Sequence, residues 1–179
     1  NTDNDSGAPH NWDEGWAFFH GPDEHWSCSP AYTMKKRAAD YGTETDGVSN
    51  ALSASEQAMV DGLAALQAGD KTAYDAATET VVKNIIITYS QATLKYTMKM
   101  DSNESAAKYQ AEGYAFWKTM EAYTADYTNA CVHIDGNITY VGNDDATSCG
   151  ENETFDGHYG ADKINEILNL KDASKHGTS

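Results

Sequence analysis

An all-α bundle of about five helices is the fold this sequence predicts, and three observations carry it. Apolar residues recur at helical spacing from Trp12 to Tyr123, and helix start and stop signals punctuate that pattern. In addition, one stretch is written twice: "EGWAFF" from Glu14 to Phe19 returns as "EGYAFW" from Glu112 to Trp117. The repeat predicts two helical halves packed about a pseudo-twofold axis, roughly residues 11–69 and 70–128 of a single domain spanning 11–170. A long acidic loop follows at 129–160, between a disordered segment at 1–10 and a frayed tail at 171–179.

The elements follow in order. Trp12, Trp16 and Phe19 fall at i, i+4 and i+7, one stripe of a first helix that Gly21-Pro22 stops. From Ser27 to Thr45 the chain reads as a loop and then a short helix, whose Lys35-Lys36-Arg37 cluster reads as a solvated helix end. The next helix carries a capping box at Ser53 and Glu56, a buried stripe of Met59, Leu63 and Leu66, and a closing glycine, Gly69. Asp70 then caps a much longer element running to about Met100. Its β-branched run, Val81, Val82 and Ile85 to Ile87, would suit a buried strand. Glycine and proline are absent from that run, however, and Tyr74, Val81, Ile85, Tyr89, Ala92 and Tyr96 continue a helical stripe through it, so its length decides for helix. A further helix starts at Ser102 or Asn103 and reaches about Tyr123. The segment 129–160 reads as loop with one small hairpin, and "ADKINEILNLK" as a last short helix.

Acid outweighs base, with 28 Asp and Glu against 12 Lys and Arg and a formal net charge of −16 over 179 residues. Such a charge repels nucleic acid and anionic membrane surfaces, and it suits a soluble protein or one that handles cations. No run reaches the roughly 18 apolar residues of a membrane span. The opening at Asn1, without methionine or leader, reads as a mature or trimmed product. Four glycosylation triplets begin at Asn4, Asn103, Asn137 and Asn152. Of the three cysteines, Cys131 and Cys149 bracket the polar loop, which a disulfide would close; Cys28 is left over, free or paired elsewhere. Triplets and bridge together point to a secreted, periplasmic or extracellular protein.

The repeated glutamate is the candidate site. Set among aromatic rings, it is expected to be partly buried in both copies, where a carboxylate needs a partner or takes up a proton. One reading is structural: each acid accepts hydrogen bonds across a helix interface or caps a helix end. The other brings Glu14 and Glu112 together about the pseudo-twofold axis with a cation between them, as paired helix glutamates hold iron or manganese in bundles. His20 joins only if the chain folds back at Gly21-Pro22, since six residues place it about 240° from Glu14 on a regular helix. His25 beside Glu24 is an alternative. Tyr89 and Tyr96 share a stripe, and a phenolate suits ferric iron, although core tyrosines are commoner. No nucleophile–base constellation, phosphate-binding glycine loop or calcium loop is present.

At these residues the sequence resembles a known family. "WDEGWAFFHG", "KKRAADYGTE" and "YSQATLKYTMKMD" leading into "AEGYAFWKTM" resemble the secreted, low-iron-inducible iron-assimilation proteins of the periplasm of green algae, with related domains in other marine algae. The resemblance covers Asn11 to Tyr123 in segments, and the chain from Asn129 onward matches nothing in it. It implies a soluble periplasmic protein that helps capture iron without enzymatic chemistry. The resemblance carries over no ligands; taken with the repeat argument, which supplies them, the expectation is a metal-binding protein taking iron, or a similar divalent or trivalent cation, through Glu14, Glu112, His20, Tyr89 and Tyr96. An anion co-ligand could be held by Lys95 and the basic cluster. The alternatives are a non-catalytic extracellular binding module with structural glutamates and, less favoured, a carboxylate metalloenzyme.

Overall fold

The computed structural model describes residues 2–22, 29–102, 106–124, 130–134, 137–141, 164–165 and 167–172, of which 101–102, 122–124 and the strands after 129 are described as backbone alone. It is an all-α protein with five helices, α1 (Ala8–His20), α2 (Pro30–Tyr41), α3 (Asn50–Ala68), α4 (Lys71–Ser102) and α5 (Ala106–Thr124). Two small antiparallel hairpins accompany them, β1 (Glu44–Thr45) with β2 (Val48–Ser49) and β3 (Ala130–Ile134) with β4 (Asn137–Val141). Two compact units divide the chain, Asn1–Gln91 and Ala92–Ser179, with the division inside α4.

Local chemistry explains most helix ends. Gly21 closes α1, its N–H donating to the Ala17 carbonyl at 2.8 Å. Ser29 caps α2 by accepting from the Tyr32 N–H at 3.1 Å, with Pro30 in the first turn, where its missing N–H costs nothing. Asp70 caps α4 through the Ala73 N–H at 3.0 Å, as its position predicts. For α3 the expected capping box is wrong. The helix starts at Asn50, and Ser49 caps it through the Leu52 N–H at 3.3 Å. The cause lies upstream, where "TDGV" makes the first hairpin: Asp46 and Gly47 take φ of 52° and 76°, the left-handed pair of a two-residue turn. β2 therefore hands the chain to α3 at Ser49, four residues before Ser53.

The β-branched run of α4 is helical. Thr78 and Thr80 turn their hydroxyls back to the carbonyls of Tyr74 and Ala76, both at 2.9 Å, which satisfies them inside a helix. The second hairpin lies where a small one is expected, and a two-residue Asp-Gly separates its strands, a pair suited to such turns. Of the last expected helix, residues 164, 165 and 167 are helical.

The core of the first unit joins Phe19 of α1, Ala31 and Met34 of α2, Leu52, Ala58 and Met59 of α3, and Ala77 and Val81 of α4. Trp12 and Trp16 pack on its edge. The buried stripe of α3 includes Met59, but its centre runs through Ser55, Ala58, Gly62 and Ala65, with Leu63 and Leu66 only half-buried. Small residues are needed there because a Cβ on Gly62 would lie 2.5 Å from the Trp12 ring. The basic cluster also departs from expectation: Arg37 is 2% exposed, on one face with Met34 and Ala38, and its guanidinium meets the Asp40 carboxylate at 2.9 Å. Three successive helical residues fan through 200°, so a cluster beside a buried stripe must turn one member inward, and a buried charge needs such a partner.

In the second unit, Ala92, Met100, Trp117, Met120 and Leu168 are buried. Leu168 lies against Gly113, where an added Cβ would approach its Cδ2 to 3.1 Å. Gln110, 3% exposed, brings its side-chain nitrogen within 3.4, 3.0 and 3.2 Å of the carbonyls of Ile167, Asn169 and Asp172. The C-terminal segment is thereby held on α5.

Candidate metal centre

The aromatic stripe of α1 decides where its polar residues point. Trp12 donates its indole N–H to the Met59 carbonyl at 2.8 Å, and Phe19 is 4% exposed, so that face turns inward. Glu14 follows Trp12 by two residues, about 200°, and therefore faces outward. Its side chain is 60% exposed, contrary to the expected partial burial, and His10 one turn earlier places Nε2 at 3.5 Å from its carboxylate. So exposed a carboxylate is solvated by water, and no buried repulsion calls for a metal at Glu14. Glu112 is half-buried, 33% exposed, and pairs with Lys108 at 3.7 Å, again one turn earlier. Glu14 belongs to the first unit and Glu112 to the second.

His20 closes α1 and meets a residue the sequence reading assigned elsewhere. Its Nε2 lies 3.4 Å from Oε1 of Glu56 on α3, and its ring stacks on Trp16 at 5.6 Å and 19°. Released from the supposed capping box, Glu56 is the interhelical acid that sequence reasoning missed. No sequence signal marks this pair, because helix packing alone makes it. Tyr89 lies on α4, where burial raises its phenol above the ordinary value, which keeps it protonated and opposes the phenolate expected of an iron ligand. Tyr96 stacks on Tyr109 at 6.0 Å and on Phe116 at 5.7 Å, within an aromatic cluster of the second unit.

The remaining expectations distribute as follows. Asn4 is exposed and accepts from Gln67 at 3.1 Å, while Asn137 opens β4; Asn103 and Asn152 lie outside the described residues. Cys131 lies in β3 opposite Tyr140, whereas Cys149 and Cys28, and with them the expected bridge, lie outside the described residues, as do Glu24 and His25. Lys95 lies on α4.

Chemically, α1 brings together two imidazole–carboxylate pairs, His10–Glu14 and His20–Glu56. Their separations are 3.5 and 3.4 Å. Among the described residues no three His, Cys, Asp or Glu side chains converge, so each pair offers two protein donors and leaves the other positions to solvent. Among the described residues no helix is long and apolar enough to cross a membrane.

Neither a curated protein nor a solved structure matches the chain. A family model does, over residues 1–139, which takes in all five helices and ends inside β4, so the match runs past Asn129 into the acidic segment 129–160, farther than the resemblance reached. That span is more than three quarters of the sequence, and the family description is periplasmic and tied to low iron. The protein belongs to the Fea1 family of low iron-inducible periplasmic proteins.

Proposed function

We propose that this protein serves iron assimilation by capturing iron itself in the periplasm, with no catalytic step, and that α1 carries the ligands. The observation behind the reading is the pair of imidazole–carboxylate contacts at the two ends of one helix, in a chain of a low-iron-induced family. Imidazole and carboxylate together suit iron, and two protein donors with open positions suit a metal that must be handed on. Water or a small anion completes the coordination. Glu112, on α5 and paired with Lys108, stands outside this ligand set.

A second reading, a binding module with structural glutamates, draws on one observation: each repeated acid has a basic side chain one turn earlier on its own helix, His10 or Lys108. Anaerobic Fe(II) titration and thermal melting, run side by side, separate the two. Metal capture at α1 predicts at least about tenfold weaker binding for Glu14→Gln and Glu56→Gln, unchanged binding for Glu112→Gln, and nearly unchanged melting. Unchanged affinity in all three variants would transfer the case to the structural reading.

A further inference from the structure

We infer that the second unit carries a binding site for a small organic carboxylate. The cleft is lined by Tyr114 and Lys118 of α5 and by Asn165, Asn169, Leu170 and Lys171 of the C-terminal segment, and holds about 300 Å³. That volume lies at the lower end for ligand sites, so it fits a compact molecule. Both charged lining residues are lysines, in a chain whose formal net charge is −16. A positive cleft in an acidic protein draws anions to one place while the rest of the surface repels them.

The two lysines differ. Lys118 donates to Glu121 at 2.6 Å, which half-neutralises it, and its ammonium lies 5.6 Å from the Tyr114 ring centre. Lys171 brings a second ammonium to the lining. Tyr114 adds a phenol that can donate to a carboxylate, and Asn169 adds a side-chain amide. The apolar flank of Leu170, 51% exposed, would cover a short carbon chain. Point charge, hydroxyl, amide and alkyl surface together suit a short di- or tricarboxylate, better than a bare inorganic ion that leaves the apolar wall wet.

The walls are fixed in place. Trp117 donates its indole N–H to Asn165 at 2.9 Å, and Asn165 donates to Glu121 at 2.6 Å. Leu168 anchors the segment beneath at 1% exposure, over Gly113. The cleft therefore exists without ligand, which lowers the ordering cost of binding. Among the described residues its lining contains no acid, imidazole or thiol, which suits the carboxylate itself better than a bare metal ion.

Citrate, added to the whole metal-free protein and followed by calorimetry and by the amide resonances of residues 110–121 and 164–172, tests the site. Saturable binding that Lys171→Gln weakens by about tenfold and that weakens further in high salt is expected, with inorganic phosphate binding more weakly. Lys171 is exposed, so an unchanged melting curve shows that Lys171→Gln keeps the fold. Tyr114→Phe provides a second variant and should weaken citrate less. Absence of saturable binding, equal affinity in Lys171→Gln, or phosphate binding as tight as citrate would each overturn the proposal. None of these outcomes depends on iron capture at α1.

Discussion

The two copies of the repeated motif, in α1 and α5, keep the same register but are covered differently. Their last positions, Phe19 and Trp117, are both buried, at 4% and 1% exposure, and Ala17 and Ala115 are both exposed. Each glutamate has a basic side chain one turn earlier. The middle of the motif diverges. Gly113 receives Leu168 at close range, whereas nothing lies within 4 Å of a Cβ placed on Gly15. Phe116 stacks on Tyr96, whereas Phe18 is 83% exposed. In the first copy the close approach moves to another helix, where the Trp12 ring lies on Gly62 of α3. The lesson is that a repeated sequence sets which face of a helix turns inward, while the unrepeated neighbours set how much of it is covered.

The sharpest break of this comparison comes from the aromatics. Trp117→Ala removes a buried indole and leaves Asn165 without its donor, which should cost about 3–5 kcal/mol. Phe18→Ala, from a nearly bare ring, should stay within about 0.5 kcal/mol. Denaturant unfolding of both checks the contrast, and similar losses would mean that the first copy is covered too.

Next in size is the glycine on α3. Gly62→Ala puts a methyl into the Trp12 ring, which is tied to the Met59 carbonyl and cannot swing away freely, so a loss of about 1–3 kcal/mol is expected. Gly15→Ala should move the other way, gaining up to about 1 kcal/mol from helix propensity alone. Thermal melting of the two variants reads the opposite signs directly. If Gly15→Ala destabilises, a partner covers α1 at that level.

The smallest effect is acid loosening of the second copy. The Asn165 amide and then Lys118 hold the Glu121 carboxyl below the ordinary carboxylate range. A lowered folded value means the contribution is complete above the unfolded carboxylate value of about 4.3 and is lost as pH falls through the folded one. The indole N–H resonance of Trp117 should therefore shift below about pH 4, and Glu121→Gln should remove that step. A resonance indifferent to acid in the parent chain would show that the Asn165–Glu121 contact does not hold the C-terminal segment.

Much of the helical framework was legible in the residues. Gly21, Gly69 and Asp70 end or start helices through their own backbone and side-chain chemistry, and the length of the Val81–Tyr89 run, free of glycine and proline, decides helix over strand. The capping box at Ser53 failed because a competing signal four residues earlier, the Asp-Gly turn, placed Ser49 at the helix start. The site was less legible. Glu14 stood out through its repetition, but its outward direction follows from Trp12 reaching Met59, 47 residues away. Glu56 carried only the mark of a capping box, which pointed away from His20.

By itself, then, the sequence determined what is local: the five helices, the ends marked by Gly21, Gly69 and Asp70, and the inward stripe of each motif copy, because these rest on spacings of three to seven residues. The family membership is also written there, across residues 1–139. Tertiary structure alone decided which acid meets which base. His20 finds Glu56 because α1 packs on α3, Arg37 is buried with Asp40 because its face of α2 turns inward, and Leu168 covers Gly113 because Gln110 and Trp117 hold its segment on α5. The physical reason is range: a helix forms from neighbours along the chain, whereas the exposure and partner of a charged group depend on residues that only folding brings close.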